Sequence, residues 1–399
     1  VPDSSSGVPG SVDDEQLDDF IICLGAATEA LLGRENYFCR QRIMWGAHVV
    51  KLRREKKFAR YYRMDEDAFD HLVAILQPDL QVDARMSTRR TGEAPISAEV
   101  VLHCTIRWLA GGSYLDISDV GCISIPSFYR CLSKGIGAIV ACAELSFTLP
   151  RTPEKIEQAA AEFAQCSTDR VFDGCVGCID GVLIRIKTPS ASETGNVRSY
   201  FSGHCHTIGL NVQAVCDSKS RFIFFAVAAP GSSSDIRALR QTSLLRYADS
   251  LPTGRYFIGD CPYVPSEHML TPFGGSQKAI PANDHYNFYL SQLRIKIEQA
   301  FGLMTTKWRR LRSPLQVRLK TAPTVCVAIA RLHNYCIDHR QYSDSTSIDE
   351  VVYGVGYMPS ERPTMSVQGV STLRAKMVSF IADCELTRPQ YNLARRDKA

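Results

Sequence analysis

Three carboxylates stand at separated points of an otherwise apolar segment: Asp180 in Cys178-Ile179-Asp180-Gly181, Asp260 in Ile258-Gly259-Asp260, and Glu298 within an amphipathic stretch. An ionised carboxylate beside a dry sheet is costly unless a cation or a hydrogen-bond donor compensates it. Acids that end apolar strands therefore point to a site rather than to a solubilised surface. The 37 residues between Asp260 and Glu298 suffice for a loop and a helix that returns to the sheet, so the three can converge. Grouped oxygen ligands suit Mg²⁺ or Mn²⁺, and this is the pattern of a metal-dependent nuclease. In a two-metal site the ions lie about 3.5 to 4 Å apart, one activating the attacking water and the other stabilising the leaving oxygen.

Each candidate has a structural rival. Glu298 borders the apolar stripe Leu290, Leu293, Ile297, Phe301, Met304 and Trp308, and an ion pair with Arg294 explains it too. Basic before acidic is, however, the weaker order on a helix. Asp235 follows Ser232-Ser233-Ser234, where helix capping accounts for it as well as metal ligation does. Cys175 and Cys178 have the spacing of a zinc or redox pair, to which His204, Cys205 and His206 could add, but no second pair stands at finger spacing. Two small buried residues leading into a strand is the better reading. His333-Asn334, near the end of an apolar helix, reads as structural.

The elements that must position these acids follow from the apolar period. Val182, Ile184 and Ile186 alternate with Arg185 and Lys187; Ile208, Leu210, Val212, Ala214 and Cys216 alternate with Asn211 and Gln213; residues 222–229 form a continuous apolar strand. Asp217-Ser218-Lys219-Ser220 makes a hairpin turn, and residues 230–235 form a turn and cap for a helix containing Ile236, Leu239, Leu244 and Leu245. Tyr256-Phe257-Ile258 adds a strand. Three strands, a helix, a strand and a helix is the order of a ribonuclease-H-like α/β fold, which sets the end of its first strand beside the end of its fourth. Asp180 and Asp260 are expected to face each other.

Ahead of this core the pattern is helical. Residues 1–15 are acidic and Ser-rich and read as disordered. Helical spacing begins at Leu17, Phe20, Ile21 and Leu24; Asp65-Glu66-Asp67 opens a helix with Phe69, Leu72, Val73 and Leu76 that Pro78 closes. After the polar segment 85–93, Ser97 caps a helix that ends at Gly111-Gly112, a short element covers 115–120, and Ser124-Ile125-Pro126 opens another. This is the outline of a helix-turn-helix, with Ser127, Tyr129, Arg130 and Ser133 as groove-facing candidates, although a plain helical scaffold gives the same outline. The expected organisation is a disordered 1–15, a helical region 16–168, a nuclease domain 169–340, and a tail 341–399 with a short helix.

With 399 residues and 45% apolar content the chain can bury real cores, which excludes disordered and fibrous classes. Residues 1–19 carry acids and no apolar run, so no signal peptide is expected, nor is there an apolar run that spans a bilayer. The 15 cysteines are scattered singly through apolar runs, as in a reducing compartment, and the protein is read as intracellular. The net charge of +4 hides two basic clusters: Lys51, Arg53, Arg54, Lys56, Lys57 and Arg60, and then Lys307, Arg309, Arg310, Arg312, Arg318 and Lys320. Either is a solvated face or a phosphate contact; the second gains weight by following the Glu298 helix.

The ordered motifs carry a family likeness. Gly177-Cys178-Ile179-Asp180-Gly181, then Asn211-Val212-Gln213-Ala214-Val215-Cys216-Asp217, Pro230-Gly231-Ser232 with Asp235, Gly259-Asp260 with Tyr263, Leu270-Thr271-Pro272-Phe273, and Arg294 with Glu298 and Phe301-Gly302 resemble the PIF/Harbinger transposase family and its domesticated relatives. The likeness departs from the family pattern at Cys261-Pro262 and at Phe201-Ser202-Gly203-His204. The resemblance implies a DDE nuclease using Mg²⁺ or Mn²⁺, with Asp180, Asp260 and Glu298 as the catalytic acids and metal ligands and Asp235 as a fourth acid. It implies transposon-end and target DNA as partners, a nuclear location and a Myb-like accessory protein, and it leaves a homodimer open. Its rival is a domesticated protein that binds DNA or a partner without cutting.

Overall fold

Where the apolar period falls to two, strands form. The computed structural model describes residues 42–91, 94–342 and 371–389. Two compact units divide the chain, residues 1–138 and 139–399.

The second unit is α/β. Strand β1 (Cys175–Arg185) is buried along nearly its whole length, as a central strand covered on both faces must be. It pairs antiparallel with β3 (Thr207–Cys216), Asp180 lying opposite Ala214 and Gly181 opposite Gln213. β3 turns through the expected hairpin into antiparallel β4 (Phe222–Pro230). The Asp217 carboxylate accepts from the backbone N–H groups of Lys219 and Arg221, both at 2.9 Å, which is why Asp opens that turn. A two-residue β2 (Phe201–Ser202) also pairs with β3. β5 (Tyr256–Ile258) lies parallel to β1 and β6 (Met269–Leu270) parallel to β5. A parallel neighbour cannot be reached by a hairpin, and the chain between β4 and β5 accordingly crosses over through two short helices.

Those helices, 235–240 and 244–249, replace the single one expected. Thr242 makes the break, its hydroxyl donating to Leu239 O and accepting from Leu244 N. With the helix Pro153–Ala164 they cover one face of the sheet, where Ile156, Ala160, Leu239, Leu244 and Ala248 cluster with Ile179, Val215 and Phe257. The opposite face carries the long helix Pro281–Lys307, whose buried Leu290, Leu293, Ile297, Ala300, Phe301 and Met304 recur every three or four residues. Cys178 donates its thiol proton to Leu293 O on that helix at 3.2 Å. Gly177 must be Gly: a Cβ there would meet Val215 Cγ1 at 2.6 Å.

In the first unit the described helices are Trp45–Arg54, Phe58–Tyr62, Glu66–Leu80, Ala84–Thr91, Ala98–Leu109, Tyr114–Gly121 and one starting at Ile125. Pro78 does not close the third: it sits in the last turn, where its missing N–H removes one bond while Gln81 N still reaches Gln77 O at 3.0 Å. The polar segment after residue 84 is a helix, its start capped by Asp83 Oδ1, which accepts from Arg85 N and Met86 N. A cluster of the buried Tyr62, Phe69 and His103 with the partly buried Trp45 and His48 ties the first helices together, the Tyr62 hydroxyl lying 2.9 Å from both His48 Nε2 and His103 Nδ1. Burial lowers the His103 pKa to about 3, so this imidazole is neutral. The region is helical, with Cys122 left-handed at φ 51° between its last two helices. Of the groove-facing candidates Arg130 is exposed, whereas Tyr129 packs on Tyr114 and Ser127 is bonded to Ser124 at the helix start. The expectations for residues 1–15 and for Leu17, Phe20, Ile21 and Leu24 lie outside the described residues; in the tail, a helix spans Thr372–Asp383.

His333 and Asn334 are structural, as read. They lie on the helix Ala322–Asp338, where His333 Nε2 is 2.9 Å from Ser220 O, and Asn334 both accepts from Phe222 N (2.8 Å) and donates to Phe222 O (2.7 Å). Removing a partner from a buried backbone group costs roughly 1 to 3 kcal/mol. Asn334→Ala is therefore expected to lose about 2 kcal/mol by urea denaturation. A loss below about 0.5 kcal/mol would show that water replaces the amide.

Candidate active site

The parallel pairing of β1 with β5 sets Cys178 beside Ile258. Continued by two residues, the same register sets Asp180 beside Asp260, on one side of the pleat because side chains two apart share a face. That face is the one under the long helix, since Cys178 contacts it and Ile179 points to the other. β5 ends at Ile258, so Asp260 stands just past the strand in a tight turn where Tyr263 N donates to Asp260 O at 3.1 Å. Each carboxylate accepts from the next residue's N–H at 2.8 Å, Asp180 from Gly181 and Asp260 from Cys261.

The long helix completes the group. Arg294 Nη2 lies 2.6 Å from Glu298 Oε1 one turn on, and Arg294 Nη1 lies 4.0 Å from Asp260 Oδ2. The ion pair discounted from its order along the helix is thus formed, because the guanidinium answers two carboxylates instead of one. These side chains are only 16 to 24% exposed, too buried for an ordinary surface pair. Asp180 is deeper still. Burial, and then the charge of Asp260, push its carboxyl well above the usual range, with Arg294 opposing.

All-oxygen donors of this kind suit a hard divalent cation, and Arg294 already supplies positive charge between two of them. As arranged, however, no three His, Cys, Asp or Glu side chains among the described residues are grouped to hold one ion. Asp260 and Glu298 would hold such an ion in competition with the Arg294 guanidinium.

Asp235 stands on a separate short helix, although its charge also acts on Asp180. It lies at the first turn of the helix Asp235–Arg240, whose N-cap is Ser234, and its Oδ1 accepts from Asn211 Nδ2 at 3.0 Å and Gln213 Nε2 at 2.8 Å. Gln213 pairs with Gly181, one residue from Asp180, and so projects from the other side of the sheet. Gln213 also accepts from the Tyr263 hydroxyl at 2.7 Å and donates to Asn211 Oδ1 at 2.8 Å. The sequence pattern shows Asn211 and Gln213 as the polar side of a strand; they are buried, and their spacing two apart in an apolar run was the available signal of this network.

Cys175 and Cys178 are fully buried, and burial raises the Cys178 thiol well above its ordinary pKa, which suits a packed thiol and not a metal-binding thiolate. The basic run after the helix is divided. Lys307 bonds Gln341 O and lies over the Tyr342 ring, and Arg312 donates to Thr305 O at 3.3 Å, while Arg309 is exposed. The earlier run, residues 51–60, is exposed at every basic position, with Arg53 paired to Glu66 and Lys57 to Glu55.

A raised native pKa has a definite sign in stability. Below about pH 4, near the value of an unfolded Asp, both states hold the Asp180 proton and its burial is harmless. As pH rises from there through the raised native pKa, the unfolded chain gives up its proton first and the native state loses stability. With chelator present, Asp180→Asn is expected to be more stable than the parent at pH 7 and equal to it below about pH 4. A stability difference that does not change with pH would refute this.

Residues 179–334 match the family described as DDE superfamily endonuclease. The chain is 25% identical over 249 residues to the HARBI1 protein of Rattus norvegicus, whose name assigns it provisionally to the nucleases, covering 61% of this chain and 68% of that one. It is 24% identical over 261 residues to its Homo sapiens counterpart, covering 64% and 72%. No solved structure matches at the same stringency. The matched stretch contains Asp180, Asp260 and Glu298 together with the long helix and most of β1, and over it the chain is similar to the DDE superfamily endonucleases and to the HARBI1 proteins.

Proposed function

We propose that the chain is a metal-dependent DNA endonuclease of the DDE class, on a ribonuclease-H-like core placed at residues 169–340, that cuts and joins transposon-end DNA. The observation that supports this is the β1–β5 register, which pairs Cys178 with Ile258 two residues before each aspartate, together with the charges of Asp260 and Glu298 acting on the buried Asp180. Asp180, Asp260 and Glu298 would hold the ions, Mg²⁺ or Mn²⁺. When bound, such ions supply an activated water and a counter-charge for the leaving oxygen of a phosphodiester. The chain's own part is to fix the acids on rigid elements, to exclude bulk water by burying Asp180, and to keep Arg294 where it neutralises Asp260 and Glu298. Asp235 supports β3 from behind.

DNA is the partner this reading requires. Nuclear residence follows from the substrate and the exposed basic stretch 51–60, with a Myb-like carrier or a homodimer as further partners. No helix among the described residues is long and apolar enough to cross a membrane. A second reading, binding without cutting, is favoured by one observation, the engagement of two of the three acids by Arg294.

The test is cleavage of terminal-repeat DNA with Mg²⁺ or Mn²⁺. Asp180→Asn, Asp260→Asn and Glu298→Gln should each abolish cutting while DNA binding persists, since each keeps its size and loses the charge that holds a divalent ion. Asp235→Asn should lose stability more than turnover. Near-full activity in Glu298→Gln would remove it from the set, and a parent protein that binds but never cuts would establish the second reading. In the same binding assay, Arg309→Ala should reduce the salt slope by about one unit. Arg312→Ala should leave the slope unchanged and lower the melting temperature, because its guanidinium is spent on helix carbonyls.

A further inference from the structure

A cavity of about 270 Å³ opens directly beside Asp260 and Arg294, between the segment 272–278, the long helix and the tail residue Arg388. Its walls combine two aromatic rings, Phe273 and Phe288, with the cations Lys278 and Arg388. The aromatic wall is built, not incidental: Asn287 accepts from Phe273 N at 2.8 Å and donates to Phe273 O at 2.9 Å, and the Arg374 guanidinium lies 4.2 Å from the Phe273 ring centre. Arg388 spends Nη1 on Asp284 at 3.0 Å, yet its buried Nε has no hydrogen-bond partner among the described residues. A buried cationic donor in that state calls for an acceptor, and a phosphate oxygen is a strong one. Rings that stack on any base, donors for a phosphate, and a volume far too small for a duplex together describe a site for one unpaired nucleotide.

We propose that this cavity receives a single nucleotide of the substrate strand, unstacked from the duplex next to the bond to be cut, with its base against Phe288 and Phe273 and its phosphate toward Arg388 and Lys278. The inference rests on the endonuclease reading only in taking Asp260 to mark the cut bond. The cavity's affinity for a nucleotide does not depend on metal or on cleavage.

The test uses the full chain in chelator with deoxyadenosine 5′-monophosphate as probe, followed by saturation-transfer NMR. Saturation should reach the adenine base protons. Phe288→Leu, which keeps an apolar side chain of similar size and removes the ring face, should weaken binding about tenfold. Lys278→Ala, at an exposed position, should weaken it less and more so at low salt. Lys155→Ala, on the helix Pro153–Ala164 and outside the cavity, should bind as the parent does, and melting curves should confirm that every variant is folded. Base protons that receive no saturation, equal binding by Phe288→Leu, or displacement by inorganic phosphate at the nucleotide's own concentration would each overturn the proposal, the last in favour of a plain anion site. A parent protein that binds the nucleotide through Phe288 but cuts nothing sinks the endonuclease reading and leaves the cavity assigned. One that cuts without base saturation does the reverse.

Discussion

The short parallel pairing of β1 with β5 is the constraint on which the rest depends. β5 has three residues, yet its alignment decides which side chains of two distant segments become neighbours. A slip of one residue would turn Asp260 to the opposite face of the sheet and leave Asp180 beside Gly259 or Cys261. What secures the register is packing on both sides: Phe257 and Ile179 lock into the cluster under the short helices, and Gly259, where a Cβ would meet Tyr263 at 2.9 Å and Ile179 at 3.0 Å, lets the chain close down just before the acid.

The long helix is held to the same alignment. Its apolar stripe fixes how it rolls on the sheet, and Cys178 reaches its backbone at Leu293, one residue before Arg294. Rotation of the helix is therefore coupled to where the guanidinium and Glu298 sit. Electrostatics then follow from geometry: a deeply buried acid, two half-sheltered ones, and one cation shared between them.

Much of this was legible in the sequence, because it is set by period and by local turn chemistry. Alternating Val, Ile and Leu mark the strands, Asp217 marks the hairpin, and acids ending apolar runs mark the site. What was not legible depends on tertiary partners. The helix Ala84–Thr91 has no apolar face to announce it, only the Asp83 cap. Asp235 follows three serines and looks like a cap, but amides of Asn211 and Gln213, more than twenty residues earlier in the chain, draw it into the protein. Its network satisfies polar groups that would otherwise be costly in the core, and so the sheet can carry Asn and Gln at its centre. The Arg294–Glu298 pair was undervalued because helix pair rules count two charges, and here a third, Asp260, takes part.

Asn334 presents its side-chain amide to β4 as a peptide group would, taking both the N–H and the C=O of Phe222. Among the described residues β4 pairs with β3 on one side only, so its other margin is the kind of open ladder on which foreign strands can build. A single amide on a rigid helix occupies the first rung. At that end of the sheet, a side chain takes the two hydrogen bonds that a further strand would need.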